Sequence, residues 1–383
     1  MKTAGIIAEY NPMHNGHVYQ LRQTNADVTV VVMSGNFVQR GEPALRDKFA
    51  RAKYAVLNGA SLVLELPADF AVASAERFAF GGVYILNALG GIDEICFGAE
   101  SPLNELKAAA ELLRKERMDA YLKSADLKDM PYHEFRNEIL KDNPIIKKPN
   151  NILAIEYLKA LDLLKSGIKP RAILRTGVGH DESTPHGTFA SASFIRNKVL
   201  EGFDVSPYIP SPLPNEKNIC LEDFYPILRS HILTESPEFL SEIAGVREGI
   251  ENRIIEAALT AKSAEELIEK VKTKRYTRTA ISRMLIHILL NTKKNDLSAV
   301  PQYTRVLAAN EKGRAFLNKV RKTTNIQIVT KGGAAPECEE FKADVRAGNL
   351  YGMVQNFNGD LNRDYTEKPF MILGGHHPDI NPK

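Results

Sequence analysis

Cysteine is scarce in this chain. Cys96, Cys220 and Cys338 are spread over 383 residues without a C-x-x-C pair, which argues against a disulfide framework and a thiolate zinc site. Long hydrophobic runs are missing too, since no stretch reaches the roughly 20 apolar residues that cross a bilayer. The N-terminus has one lysine before Glu9 interrupts a short apolar stretch, which is the wrong pattern for a signal peptide. These absences predict a cytoplasmic protein with no membrane partner. Charge of one sign is not in excess either: 50 Lys and Arg against 47 Asp and Glu leave +3, so only local clustering can point to an acidic partner. The remaining composition, 44% hydrophobic and 25% charged, is that of a globular chain long enough for two domains.

The stretch Ala4–Gln20 (AGIIAEYNPMHNGHVYQ) organises the rest of the chain. Gly5–Ala8 reads as a buried strand, Asn11-Pro12 breaks it, and Val18–Leu21 opens a helical pattern behind His14-Asn15-Gly16-His17. Strand, tight loop and helix N-terminus aim backbone N–H groups and a partial positive charge at an anion. His14 and His17 at such a point can both face one phosphate, and Gly16 leaves room where a Cβ would intrude. Two N–H donors beside a triphosphate stabilise charge on the α-phosphate and the departing pyrophosphate, without either acting as a base.

Further along, Val28–Met33, Ser61–Leu66, Glu94–Phe97 and Ala172–Arg175 read as strands. Ala44–Asn58, Ala73–Leu89 (interrupted by Gly81-Gly82), Asn104 to about Leu122, Ile152–Leu164 and Ser191–Leu200 read as helices. Apolar strands alternating with helices predict an α/β fold, a parallel sheet covered on both faces. Its ligands belong at the carboxyl ends of the strands, so the loops to watch are Asn11–His17, Ser34–Glu42, Pro67–Asp69, Gly98–Ser101 and Thr176–Pro185. Pro207, Pro210, Pro212 and Pro214 mark a boundary. Beyond it the pattern is mostly helical, over Leu221–Leu233, Pro237–Ala244, Arg247–Ala261, Ala264–Lys272 and Arg278–Asn291, with Ile326–Val329 a strand candidate. The expected division is residues 1–205 as the α/β domain and 206–383 as a mainly helical, basic one.

A second constellation is Ser191-Ala192-Ser193-Phe194-Ile195-Arg196. Hydroxyls at a helix start cap it and leave donors for phosphate oxygens, and Arg196 offers a planar fork for the β- and γ-phosphates. Alone this is an ordinary helix start; its weight comes from the histidine loop. Gln39 and Arg40 are candidates for holding a carboxylate or orienting a target base, against the simpler reading of a turn pinned by Gly41 and Pro43. His180-Asp181 with His186 has the look of a metal cluster but lacks a fourth ligand, so a loop near the nucleotide is expected and no protein-held metal. Lys270, Lys272, Lys274, Arg275, Arg278 and Arg283 follow one another without an acid, with Tyr276 among them. Such a run is a solvated face or a patch that grips phosphate backbone with strong salt dependence. Tyr276 stacks on an exposed base or joins the core.

The H-x-G-H near the N-terminus and the downstream S-x-S-x-I-R resemble the HIGH-type nucleotidyltransferase superfamily. Longer stretches narrow the likeness: Glu9–His17 (EYNPMHNGH), Met33–Ala44 (MSGNFVQRGEPA), Glu65-Leu66-Pro67, Phe97-Gly98, Lys148–Leu153 (KPNNIL) and Lys272–Thr277 (KTKRYT). They are similar to the tRNA(Met) cytidine acetate ligase family over residues 1 to about 310. Where that family leads us to expect an R-V-L-G-F segment, this chain has Arg305-Val306-Leu307-Ala308-Ala309.

The resemblance implies a Rossmann-like ATP-binding domain followed by a mostly α-helical domain that docks tRNA. It implies that ATP, accompanied by Mg2+, and acetate form acetyl-adenylate, and that the acetyl group moves to the wobble cytidine of elongator tRNA(Met). The ATP site then comprises Ile7, Ala8, Glu9, Tyr10, Asn11, Pro12, His14, Asn15, Gly16, His17, Gln20, Gly98, Asn150 or Asn151, and Arg175, joined by Ser191 and Ser193. His14, His17 and Arg196 carry the chemistry; Lys272, Lys274, Arg275, Tyr276, Arg278 and Arg283 meet the RNA. For Asn150 a helix cap is the competing role. Two other readings stay open: a nucleotidyltransferase joining AMP or CMP to a small phosphate ester, and an RNA-binding protein that uses ATP only as a conformational ligand.

Overall fold

In the N-terminal half the elements are β1 (Thr3–Ala8), α1 (Asn15–Gln23), β2 (Val28–Ser34), β3 (Phe37–Val38), β4 (Glu42–Pro43), α2 (Lys48–Leu57), β5 (Leu62–Leu66), α3 (Ala68–Ala71), α4 (Ala75–Leu89), β6 (Glu94–Ala99), α5 (Leu103–Lys123), α6 (Pro149–Leu163), β7 (Lys169–Leu174) and α7 (Ala192–Leu200). The helices α8 (Leu221–Thr234), α9 (Pro237–Glu242), α10 (Ile250–Thr260), α11 (Ala264–Val271) and α12 (Arg278–Leu290) come next. The chain continues through β8 (Tyr303–Ala309), α13 (Glu311–Val320), β9 (Gln327–Val329), α14 (Glu339–Gln355), α15 (Arg363–Thr366) and β10 (Phe370–Met371). This computed structural model describes residues 1–123, 136, 138–140, 143–174, 185–213, 216–247, 249–273, 275–330, 336–356, 359 and 361–372.

Strands β5, β2, β1, β6 and β7 lie side by side in that order, all parallel, with Ile6 opposite Val31 and Val32 opposite Leu64. Val30 and Val32 enter the core shared with α4, α5 and α6, while Val31 and Met33 enter the one shared with α1 and α2. That alternation is the period of two expected of a sheet buried on both faces. Gly81 and Gly82 do not interrupt α4. A Cβ on Gly82 would lie 2.7 Å from Ile7, so the missing side chain is what lets the helix rest on β1. Pro149, at the first turn of α6, opens that helix, with Lys148 as N-cap. Proline suits that position because its absent N–H has no helical partner there, so neither asparagine is the cap.

The largest departure from the expected division lies near the C-terminus. β8 runs antiparallel beside β5, and β9 and β10 pair with its two ends. Residues 303–309, 327–329 and 370–371 therefore complete the first domain's sheet, and the expected boundary at 205/206 does not hold for them. Arg305, beside Thr304, breaks the apolar run of this strand, which hides it from a hydrophobicity pattern. Its charge is met inside. Lys48 Nζ lies 2.6 Å from Glu65 and 2.5 Å from Asp364, and the Arg305 guanidinium 3.5 Å from each carboxylate. All four side chains are buried, so the C-terminal segment is tied to β5 and α2 by ion pairs shielded from water. The helices α8, α10, α11 and α12 form their own core, into which Phe37 and Val72 of the sheet half and Tyr351 of α14 insert.

Candidate active site

The strand order reverses at β1, with β2 on one side and β6 on the other, the point at which open α/β sheets leave a crevice. A cleft of about 1150 Å³ opens there, lined by the strand ends Ile7, Ala8, Phe97, Gly98, Ile173 and Leu174. His14 is the N-cap of α1. Its Nδ1 accepts from the Gly16 N–H at 3.1 Å, and His17 Nδ1 accepts from the His14 N–H at 3.3 Å. The two rings stack with centroids 3.7 Å apart, and Tyr10 meets His17 edge-on at 4.9 Å. Because both Nδ1 atoms accept, each neutral imidazole carries its proton on Nε2. Two N–H donors thus stand in the wall of the cleft at a helix N-terminus. Gly16 serves this pair directly, since a Cβ there would lie 2.9 Å from the His14 ring.

Helix α7 closes on the same turn. Ser191 caps it by accepting from the Phe194 N–H at 3.1 Å. Arg196 donates to the Asn11 carbonyl at 2.8 Å and to Ser193 Oγ at 3.4 Å, and lies 3.5 Å from Glu42. Arg40 reaches Ser193 Oγ at 3.5 Å, so both guanidiniums meet at one hydroxyl. Glu9 accepts from the Gln39 N–H at 2.8 Å. Burial pushes its carboxyl above the usual range, opposed by that N–H and by Arg196, Arg40 and Arg51. The hairpin β3–β4 that carries Gln39 and Arg40 is pressed onto α12. Gly41 has φ +76°, and a Cβ there would run into the backbone of Arg283. Arg283 in turn donates to the Gln39 carbonyl at 3.3 Å, and burial lowers its guanidinium to about 10.

Gln20, Gly98, Asn150, Ser191, Ser193 and Arg196 line the cleft together with Ile7–Asn11, His14, Gly16 and His17. Three expected ligands do not. Asn151 is fully buried, taking the N–H groups of Glu100 and Ser101 and donating to Ser101 Oγ and the Ile145 carbonyl. Asn15 donates to the carbonyls of Thr188 and Pro207 at 2.9 and 3.0 Å, tying α1 to the segments flanking α7. Pro12 is buried away from the cleft. Arg175, Lys274, His180 and Asp181 lie outside the described residues, and His186 is exposed. Among the described residues no group of three or more His, Cys, Asp or Glu is arranged to hold a metal.

The basic run divides in two. Lys270 pairs with Glu266 at 2.7 Å, Lys272 with Glu269 at 3.4 Å, and Arg278 with Glu265 and Glu269. α11 supplies these acids, so that face is largely neutralised; for Lys270 and Lys272 the glutamates one turn upstream were the available signal, whereas Arg278 finds its partners only through the fold. Arg275, Tyr276 and Arg283 line the cleft instead, with Tyr276 OH donating to the Arg247 carbonyl at 3.1 Å. Arg77, Arg247, Met284 and His287 also line it. No local motif announces them, because folding alone brings α4, the turn before α10 and α12 to the strand ends.

The chain matches the model of the HIGH Nucleotidyl Transferase family over residues 1–365. It is 38% identical to the tRNA(Met) cytidine acetate ligase of Clostridium perfringens, over 97% of this chain and all of that protein. It is 40% identical to that of Acetivibrio thermocellus, over 86% and 88%. Among solved structures, Thermotoga maritima TmcAL bound with alpha-thio ATP superposes with a TM-score of 0.85 at 30% identity, over 97% of this chain and 100% of that one. Its apo form gives 0.87 at 31%. With a stacked histidine pair at the first βα turn and likeness along nearly its whole length, the chain belongs to the HIGH nucleotidyl transferase family and, within it, to the tRNA(Met) cytidine acetate ligases.

Proposed function

We propose that this cleft joins acetate to ATP as acetyl-adenylate, releasing pyrophosphate. The acetyl group then passes to the exocyclic amine of the wobble cytidine of elongator tRNA(Met), leaving N4-acetylcytidine and AMP. The observation that carries the reading is the stacked His14–His17 pair capping α1 at the point where the strand order reverses. In this reading their Nε2–H donors and the Arg196 guanidinium stabilise the charge that builds as an acetate oxygen displaces pyrophosphate from the α-phosphorus. Ser191 and Ser193 meet phosphate oxygens, and Ile7–Asn11, Gln20, Gly98 and Asn150 hold the rest of the nucleotide. Arg40, with Gln39, takes the acetate carboxylate, for which a planar guanidinium is suited. The names of the relatives and the bound nucleotide of the solved neighbour support the same substrates.

Magnesium, carried on the phosphates, would supply further charge neutralisation. The cleft's own carboxylates fit that role only in part, because Glu9 is ringed by arginines and Asp69 is paired with Arg77; this suits an ion held by phosphates and water. No helix of the described residues is long and apolar enough to cross a membrane, and we place the reaction in the cytoplasm. The cleft volume of about 1150 Å³ exceeds the ~300–1,000 Å³ of a single small-molecule pocket, leaving space for an RNA base beside the nucleotide. The test is acetate-dependent ATP–pyrophosphate exchange, then transfer of labelled acetate to the tRNA. Exchange with acetate alone supports the ligase. Exchange only with a phosphorylated acceptor favours a transferase of AMP to a phosphate ester, and none with either refutes both.

A further inference from the structure

Acyl transfer to an amine releases a proton, and the histidine pair is not placed to take it, since both Nε2 atoms already carry one. Nδ1 of His287 is sealed in the protein. Three carboxyl residues among those described line the cleft, Glu9, Asp69 and Glu76. Asp69 is paired with Arg77 at 2.8 Å and Glu76 with Lys159 at 3.3 Å. Glu9 follows directly on β1 and is half-buried. Its Oε1 accepts the Gln39 N–H at 2.8 Å. Oε2 has no hydrogen bond or ion pair among the described residues, and it is not enclosed as the unpartnered Oε2 of Glu65 is. Gln39 is itself fixed: its side chain donates to the Ala73 carbonyl at 3.2 Å and its own carbonyl accepts from Arg283 at 3.3 Å. The carboxylate is thus anchored between the hairpin β3–β4 and the turn that carries the histidines. Arg40 of that hairpin, Arg51 of α2 and Arg196 of α7 act on it, and Tyr157 of α6 senses its charge. Burial raises its carboxyl against the pull of the three guanidiniums, which makes it a better proton acceptor, once ionised, than a carboxylate in water.

We propose that Glu9 Oε2 is the general base of the transfer step, taking the proton that the exocyclic amine of the acceptor cytidine loses. The proposal rests on the ligase reading and deepens it. In that reading acetate sits at Arg40 and the α-phosphate at the histidine pair, and Glu9 lies between the segments that carry them. The N4 nitrogen bonds to the acetyl carbonyl carbon, the bond from that carbon to the phosphate oxygen breaks, and its electron pair leaves with AMP. The N4 proton passes to Glu9 Oε2 and goes on to water as the products depart. An amine conjugated with a pyrimidine ring is a weak nucleophile, so a base that removes its proton as the new bond forms contributes about 10²–10⁴-fold.

The test supplies chemically prepared, labelled acetyl-adenylate and a tRNA(Met) transcript to wild type, Glu9→Gln and Glu9→Asp, and follows single-turnover transfer from about pH 5 to about 8. Glutamine has the same shape and still accepts the Gln39 N–H, but takes no proton; aspartate keeps the carboxylate one methylene shorter. Transfer is expected to fall about 10²–10⁴-fold in Glu9→Gln, with Glu9→Asp at least about tenfold faster than Glu9→Gln. A residue that only holds the hairpin gives the opposite order, because glutamine keeps that bond and aspartate loses it. Wild-type transfer should rise with pH as Glu9 ionises and then level off, a rise the glutamine variant lacks. Transfer by Glu9→Gln within about threefold of wild type, or faster than by Glu9→Asp, overturns the proposal. Should that variant not fold, wild-type transfer independent of pH over the same range overturns it equally. Exchange by the wild type with acetate and no RNA tests the ligase reading separately, so the two failures are told apart.

Discussion

His17 performs two tasks that substitution can separate. Its Nδ1 accepts the His14 N–H at 3.3 Å and its ring stacks on His14 at 3.7 Å, while in the proposed reaction its Nε2–H meets the α-phosphate. His17→Ala removes both. Losing the capping bond costs about 1 kcal/mol and losing the ring contacts about 0.5–1.5 kcal/mol, so the fold should survive with a modest drop in its urea midpoint. Losing one preorganised donor lowers turnover by about 10²–10³. His17→Asn keeps an acceptor near Nδ1 but no donor at Nε2. It should restore much of the lost stability and none of the lost activity. The assays are urea unfolding and acetate-dependent ATP–pyrophosphate exchange on wild type and both variants. If His17→Asn regains exchange in step with stability, His17 is only a cap and the catalytic reasoning fails.

Lys48→Met strands the buried carboxylates of Glu65 and Asp364 with Arg305 alone, and should cost about 3–5 kcal/mol; an unchanged urea midpoint would show that the C-terminal segment is not held by this network. Glu340 lies buried beside Asp69, and burial together with that neighbour pushes its carboxyl up to about 9. A carboxyl raised on folding is protonated in the native state and ionised in the unfolded one, so stability is lost as pH rises from about 4.5 to about 9. Glu340→Gln should flatten that dependence, by up to about 1.4 kcal/mol per pH unit, and thermal unfolding across pH 5–9 reads it; parallel wild-type and variant curves would refute it. Arg247→Ala with Arg275→Ala should reduce the slope of log affinity for tRNA against log salt by about 2; an unchanged slope removes these arginines from the phosphate path.

The first βα turn and the strands around it were legible because their signals are local. The apolar runs Val28–Met33 and Ser61–Leu66, the helices opening at Ser191 and Arg278, and the histidine spacing each depend on residues within a turn or a strand of one another. The misses are where a long-range partner reverses a local meaning. Arg305 reads as a surface charge until Glu65 and Asp364 surround it; Gly81 and Gly82 read as breakers until Phe70 and Ile7 press against them; Asn151 reads as a ligand until Glu100 and Ser101 take its oxygen. Lys272 and Arg278 belonged to a basic run, yet α11 returns a glutamate to each.

By itself, then, the sequence determined the alternating α/β framework, the family, and the strand–loop–helix turn that carries the histidine pair, because backbone geometry, hydrophobic period and helix capping act over a few residues. Tertiary structure alone decided that β8 closes the sheet, that Arg77, Arg247 and His287 share a cleft with the histidine pair, and which arginines face it. Those facts depend on bringing together groups as far apart as residues 14 and 287, and no pattern along the chain encodes which buried charges will find each other.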